Sequence, residues 1–438
     1  MTLPVLALVS ALSRGAAVAA VSTLQARVDA AAPGARLLVE AGVYPGDLRI
    51  DRPLTLVGRG RPLLLGSGAG TVVSVRADDV VIEGFDIDGR GGGDLGTDSS
   101  GIHVAARRAT IRDCRIFRTL FGIYLREADG ASIERCDVRG IREKEAGEKG
   151  SGIHVWNTDG FRLSDNTITE ARDGFYVQSS RNGVITGNRA RDLRYGLHYM
   201  FSDDNRFEDN VFENAAAGAA LMYSRRIVFR RNRFLHNRGF ASVGLLLKAC
   251  DDLEAESNLI ADNARGLFLE GSYRNVFLRN LIAESDTAVV LYDSCGNNRF
   301  EGNSFVANLT PLTLVGRRTD TVFRANYWSD NEEPDLDGDG HTDRPYRLSS
   351  VFDHLRGNLT AADLFTQGFA AAALGLAERA FPVLEPVSVE DASPLARAPR
   401  LPEVPRADAA RGARRAGGAA GAGAALLLGA LGLLAGRR

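Results

Sequence analysis

Beyond Met1, the 438-residue chain holds two methionines, Met200 and Met222, spaced 22 residues apart, and His198 lies two residues before the first of them. If that spacing sets the methionines on neighbouring turns of one structure, two thioethers and an imidazole share a face, and soft sulfur with imidazole suits Cu(I). The competing reading is that two methionines on a sheet face are packing beneath a loop. A second cluster is acidic. Asp335, Asp337, Asp339 and Asp343 take positions 1, 3, 5 and 9 of a loop with Gly340 at position 6, the front of a calcium-binding loop. Position 12 is Tyr346 in place of the bidentate glutamate, so a complete calcium-sensing loop is excluded, and Asp/Gly turn chemistry is the alternative to a bound Ca(2+).

The elements that must position these residues come from an internal repeat. Asparagine recurs before a β-rich tripeptide at Asn166, Asn188, Asn210, Asn232, Asn258, Asn280, Asn303 and Asn326, with gaps of 22, 22, 22, 26, 22, 23 and 23 residues. A glycine column keeps the same beat (Gly152, Gly174, Gly196, Gly218, Gly244, Gly266). A small residue follows six positions on, at Thr158, Ser180, Ser202, Ser224, Cys250, Ser272 and Ser294. One such coil cannot bury its own apolar face and must stack on its neighbours. The expected fold is all-β: a right-handed parallel β-helix of ~22-residue coils, spaced ~4.8 Å apart along the axis, with the asparagines as an internal ladder. Cys114 and Cys136 sit in the asparagine column, as a buried thiol pair or a disulfide. Lengthened gaps at 88–99, 141–149 and 237–242 mark loops.

Alternation then sorts the strand after each glycine. Ile102 and Val104, Ile153 and Val155, Leu197 and Tyr199, and Leu245 and Leu247 point in. One outward column reads His103, Tyr124, His154, Tyr176, His198, Ala220, Leu246, and the next reads Ala105, Arg126, Trp156, Gln178, Met200, Met222, Lys248. His154 and His103 lie too many coils from the methionines to share one ligand shell; they line a metal route or decorate the face. His236, in a turn column of Glu170, Asp192, Asn214, Asp262 and Glu284, reads as a solvated turn residue.

Composition is globular, with 45% hydrophobic and 25% charged residues, and the net charge of −2 supplies no basic field for nucleic acid. Residues 1–20 carry an apolar run and a small-x-small site, as an export signal would. Residues 21–358 form the β-helix, with an amphipathic stretch at 22–31 that could cap its first coil. An amphipathic helix covers 359–381 and a proline-rich linker 382–415. Residues 416–438 are a Gly/Ala-rich hydrophobic tail just long enough to cross a membrane, either an anchor to the inner membrane or a cleaved sorting signal.

Taken with the asparagine ladder, four stretches resemble the NosD family, exported β-helix proteins of nitrous oxide reductase maturation. They are Arg194–Ser202 with Ala220–Ser224, Asn326–Trp328 with its Asp/Gly loop, Arg344–Arg347, and Ala377–Pro386. The resemblance spans roughly residues 37–395, and its more specific parts are the His-Tyr-Met and Met-Tyr-Ser strands; the tail after Arg415 departs from the family. It implies a periplasmic protein without catalytic activity. Such a protein works with an ABC transporter permease and ATPase and a copper-chaperone lipoprotein to load the apo nitrous oxide reductase with copper. The coil repeat alone is shared with carbohydrate-active β-helices. A lyase, epimerase or hydrolase of that kind is the alternative, and it requires a base or paired carboxylates converging in a groove.

Overall fold

The computed structural model describes residues 23–348 and 389–399, with 402, 404 and 405. The expected export segment 1–20, the helix 359–381 and the tail 416–438 lie outside the described residues. Within them the chain is a parallel β-solenoid of about 13 turns. Each coil contributes short strands to three sheets of 15, 13 and 12 strands, and every pairing of successive coils is parallel and in register.

The apolar half of the alternation fills the tube: Ile102, Val104, Ile153, Val155, Leu197, Tyr199, Leu245 and Leu247 are all fully buried. Backbone polar groups along the axis are met by the asparagines. Asn188 Oδ1 accepts both the backbone N–H and the side-chain N–H of Asn166, at 2.9 and 3.0 Å, and the pattern repeats through Asn210, Asn232, Asn258, Asn280, Asn303 and Asn326. Cys114 and Cys136, in the rungs before Asn166, are free buried thiols. The glycine column has a steric cause: a Cβ on Gly174 or Gly196 would lie 2.5 Å from the carbonyl oxygen of the next glycine in the column, so the coils could not close to ladder spacing.

Both ends of the described tube are covered. Thr23 caps the helix Leu24–Ala30 by accepting from the Ala26 N–H, and Gln25 makes two hydrogen bonds to the Arg49 backbone, tying the helix to the first coils. At the other end part of the stretch that composition assigns to a linker is built into the fold. Glu390–Asp391 joins the largest sheet beside Val322–Arg324, and buried Asp391 ends the ladder by accepting from the Asn326 N–H and Nδ2 and from Trp328 Nε1. Proline richness conceals this because a single two-residue strand and one carboxylate carry the attachment.

Loops emerge where the period lengthens, with short 3-10 turns at Leu95–Thr97 and Ala146–Glu148. Two turn assignments change. His236 is not solvated: it is 7% exposed, and its Nδ1 lies 2.7 Å from Asp262 Oδ2, because the turn column stacks an acid directly above it. In the small-residue column Cys295 replaces Ser294, since the 23-residue coil adds one residue; Cys295 Sγ accepts from the Ser272 N–H.

Candidate functional site

The third sheet carries the site on its outer face, on strands Ser100–Val104, Phe121–Arg126, Ser151–Trp156, Asp173–Gln178, Tyr195–Met200, Ala217–Arg225 and Val243–Asp251. Cα register pairs Gln178 with Met200, Met200 with Met222, and Met222 with Lys248. The methionines are therefore lateral neighbours on adjacent coils, half-buried, with His198 two residues before Met200 on the same face. The Tyr176 hydroxyl lies 3.9 Å from Met200 Sδ and 2.8 Å from Gln178 Oε1. Met222 also touches an apolar cluster of Tyr195, Ala217, Ala220 and Val243, so one of the two thioethers has packing partners as well. Phe201 and Tyr223, which follow the methionines, stack at 5.1 Å and stand about half exposed beside them.

The neighbouring column is a stack of imidazoles and phenols. His103, Tyr124, His154, Tyr176 and His198 follow one another at ring separations of 5.2, 4.4, 4.4 and 4.7 Å. Burial and the Arg172 charge push the His154 imidazole down to about 3, and burial lowers His103, so His154 stays neutral at any physiological pH. Burial pushes the Tyr124 phenol up to about 12 and raises Tyr176, which keeps both protonated.

Sequence reasoning missed Asp173. It is fully buried at the start of its strand. Arg194 binds it twice, at 2.8 and 2.6 Å, and its Oδ2 lies 3.4 Å from both Arg172 Nε and His198 Nδ1. Burial opposes its ionisation, but His198 and Arg194 outweigh that and hold the carboxyl far below the ordinary range. The available signal was an acid in a column that reads Ser100, Phe121, Ser151, Asp173, Tyr195, Ala217, Val243. In the acidic loop, oxygens of Asp335, Asp337 and Asp339 lie within 4.8 Å of one another. Asp343 does not join them; its Oδ2 accepts from the Leu336 N–H at 2.7 Å. Each of the three also accepts backbone N–H groups of the loop, the Asp/Gly turn pattern.

Comparison with known proteins adds three findings. Residues 139–336 match the family described as periplasmic copper-binding protein (NosD). Proteins named probable ABC transporter binding protein NosD, from Stutzerimonas stutzeri and Pseudomonas aeruginosa, are 29% and 28% identical; each alignment covers 83% of this chain, and 87% and 89% of the relative. Among solved structures, a family 28 exopolygalacturonase of Yersinia enterocolitica matches with a TM-score of 0.57 at 12% identity, over 68% of this chain and 74% of the enzyme. A PL6 alginate lyase matches at 0.54 and 11%, over 70% and 81%. At that identity the likeness is one of fold.

Proposed function

We propose that the chain is a member of the NosD family and a periplasmic copper-handling protein that carries Cu(I) as cargo on Met200, Met222 and His198. The observation that carries the reading is the register of Met200 on Met222 with His198 on the same face. Two thioethers and one imidazole form a soft donor set, selective for Cu(I) over the harder ions that carboxylate loops take. Met200 and Met222 bind the ion without releasing a proton. His198 contributes Nε2, since its Nδ1 faces Asp173. Ligands that are partly open to solvent suit an ion that is received and passed on, by exchange with incoming ligands from the open side. In this reading the donor is a copper-chaperone lipoprotein, the acceptor is the apo nitrous oxide reductase, and the membrane partners are an ABC transporter permease and ATPase; of these, the names of the two relatives carry the ABC transporter alone.

His154 and His103 serve as an approach rather than as ligands of this ion. Protonated phenols separate the imidazoles, which stand two coils, ~10 Å, apart. A polysaccharide-active enzyme, the reading suggested by the fold neighbours, would need a free acid–base pair on this face, and Asp173 is committed to Arg194.

Replacing Met200 and Met222 together by alanine is expected to abolish Cu(I) binding in competition with a chromogenic chelator while leaving the circular dichroism unchanged. Either single replacement weakens binding less, because a thioether and the imidazole remain. A double variant that binds as tightly as the parent would make the methionines packing residues.

A further inference from the structure

Three histidines stand in one outward column, and the coil beneath treats two of them differently. Below His198, the first residue of the preceding strand is Asp173, with Oδ2 3.4 Å from Nδ1. Below His154, the residue in the same place is Phe121, whose ring meets the imidazole edge-on at 5.4 Å. Phe121 and Asp173 each stand two residues before the inward-facing Ile123 and Phe175. His154 Nδ1 is buried and has no hydrogen-bond partner, whereas His198 Nδ1 has the carboxylate. The solenoid thus contains its own control: the same side chain, on the same face, with and without an acid behind it.

We infer that Asp173 is the positioning residue that makes His198 a metal ligand, by accepting the Nδ1–H and so turning the Nε2 lone pair outward beside Met200. This rests on the reading that Met200, Met222 and His198 bind Cu(I). A neutral imidazole carries one N–H, and the nitrogen that carries it cannot ligate. A carboxylate at Nδ1 selects the tautomer with Nε2 free and fixes the ring plane, the arrangement in which an outer carboxylate strengthens a metal-bound histidine. Arg194 and Arg172 hold the carboxylate in place, and Arg194 also lies over the Tyr195 ring, which itself packs edge-on to His198. Arg194 Nη2 is likewise 3.4 Å from Nδ1. If the guanidinium donates there instead, the proton sits on Nε2 and His198 cannot ligate.

The test is nitrogen NMR of the histidines in the copper-free protein, with Cu(I) affinities of three variants. The expected parent result is His198 protonated at Nδ1; protonation at Nε2 overturns the inference without any substitution. D173S, which installs the residue that the preceding coil carries as Ser151, is expected to lose the single tautomer and 10–100-fold in Cu(I) affinity. R194Q, which breaks the ion pair but leaves the carboxylate at His198, is expected to lower the unfolding midpoint and retain the affinity to within a few-fold. Equal loss of affinity in R194Q and D173S would assign Asp173 a structural role only. The Met200/Met222 double variant distinguishes the two levels. If it binds Cu(I) normally, the site reading fails; if it does not bind while D173S binds as the parent does, the Asp173 inference alone fails.

Discussion

His154 and His198 differ in what lies behind the ring, and that difference has a measurable consequence in acid. His154 titrates at about 3 in the folded protein, against ~6.5 for an exposed histidine. Between those values the unfolded chain holds a proton that the native chain refuses, so stability rises with pH across the window. The stabilisation is complete above ~6.5 and gone by ~3. The expected slope from this one residue is up to about 1.4 kcal/mol per pH unit. Urea unfolding at pH 4 to 7 should show His154→Phe losing less stability on acidification than the parent; parallel curves would mean that His154 is already charged or exposed when folded. The Met200, Met222 and His198 placement was legible in the sequence because a fixed period converts spacing directly into adjacency. Asp173 was not, since its contact runs diagonally between coils and its column mixes serine, aromatic and apolar residues. His236 was misread for a similar reason: its column was read correctly, but the Asp262 stacked on it removes it from solvent.

At the scale of the elements, the asparagine ladder joins coils that otherwise share only strand pairing. Asn210 accepts from the Asn188 N–H and Nδ2 and donates to Ile185 O. Asn210→Leu therefore orphans buried donors on the coil below, and denaturant unfolding should register a loss of ~1–3 kcal/mol; a variant as stable as the parent would contradict the ladder's part in holding the stack. Asp391 is the terminal rung, 65 residues beyond Asn326 in the chain. Asp391→Ala should raise amide exchange in 322–328 and 389–397 while protection at 166–260 is unchanged. The repeating rungs were readable from identity and period alone. The last one was not, because it is an aspartate, appears once, and lies within the stretch that composition marks as extended linker.

At the scale of the molecule, the tube is a rigid ruler: parallel coils fix the outer face of the third sheet, and no loop is needed to assemble the donor set. Among the described residues no helix is long and apolar enough to cross a membrane. Export is the proposal, and a reporter active only in the periplasm tests it when fused after Pro405. A fusion at Leu395 would disturb the last coil, where the Leu395 N–H donates to Asn326 O. Periplasmic activity is expected; activity confined to a cytoplasmic reporter would remove the basis for copper exchange with exported partners. The ligand set itself is tested most directly by copper K-edge X-ray absorption on the Cu(I)-loaded protein. The account predicts a first shell of two sulfurs and one imidazole nitrogen, reduced to one sulfur in Met222→Ala. A shell of nitrogen and oxygen alone, or one unchanged by that substitution, would contradict it.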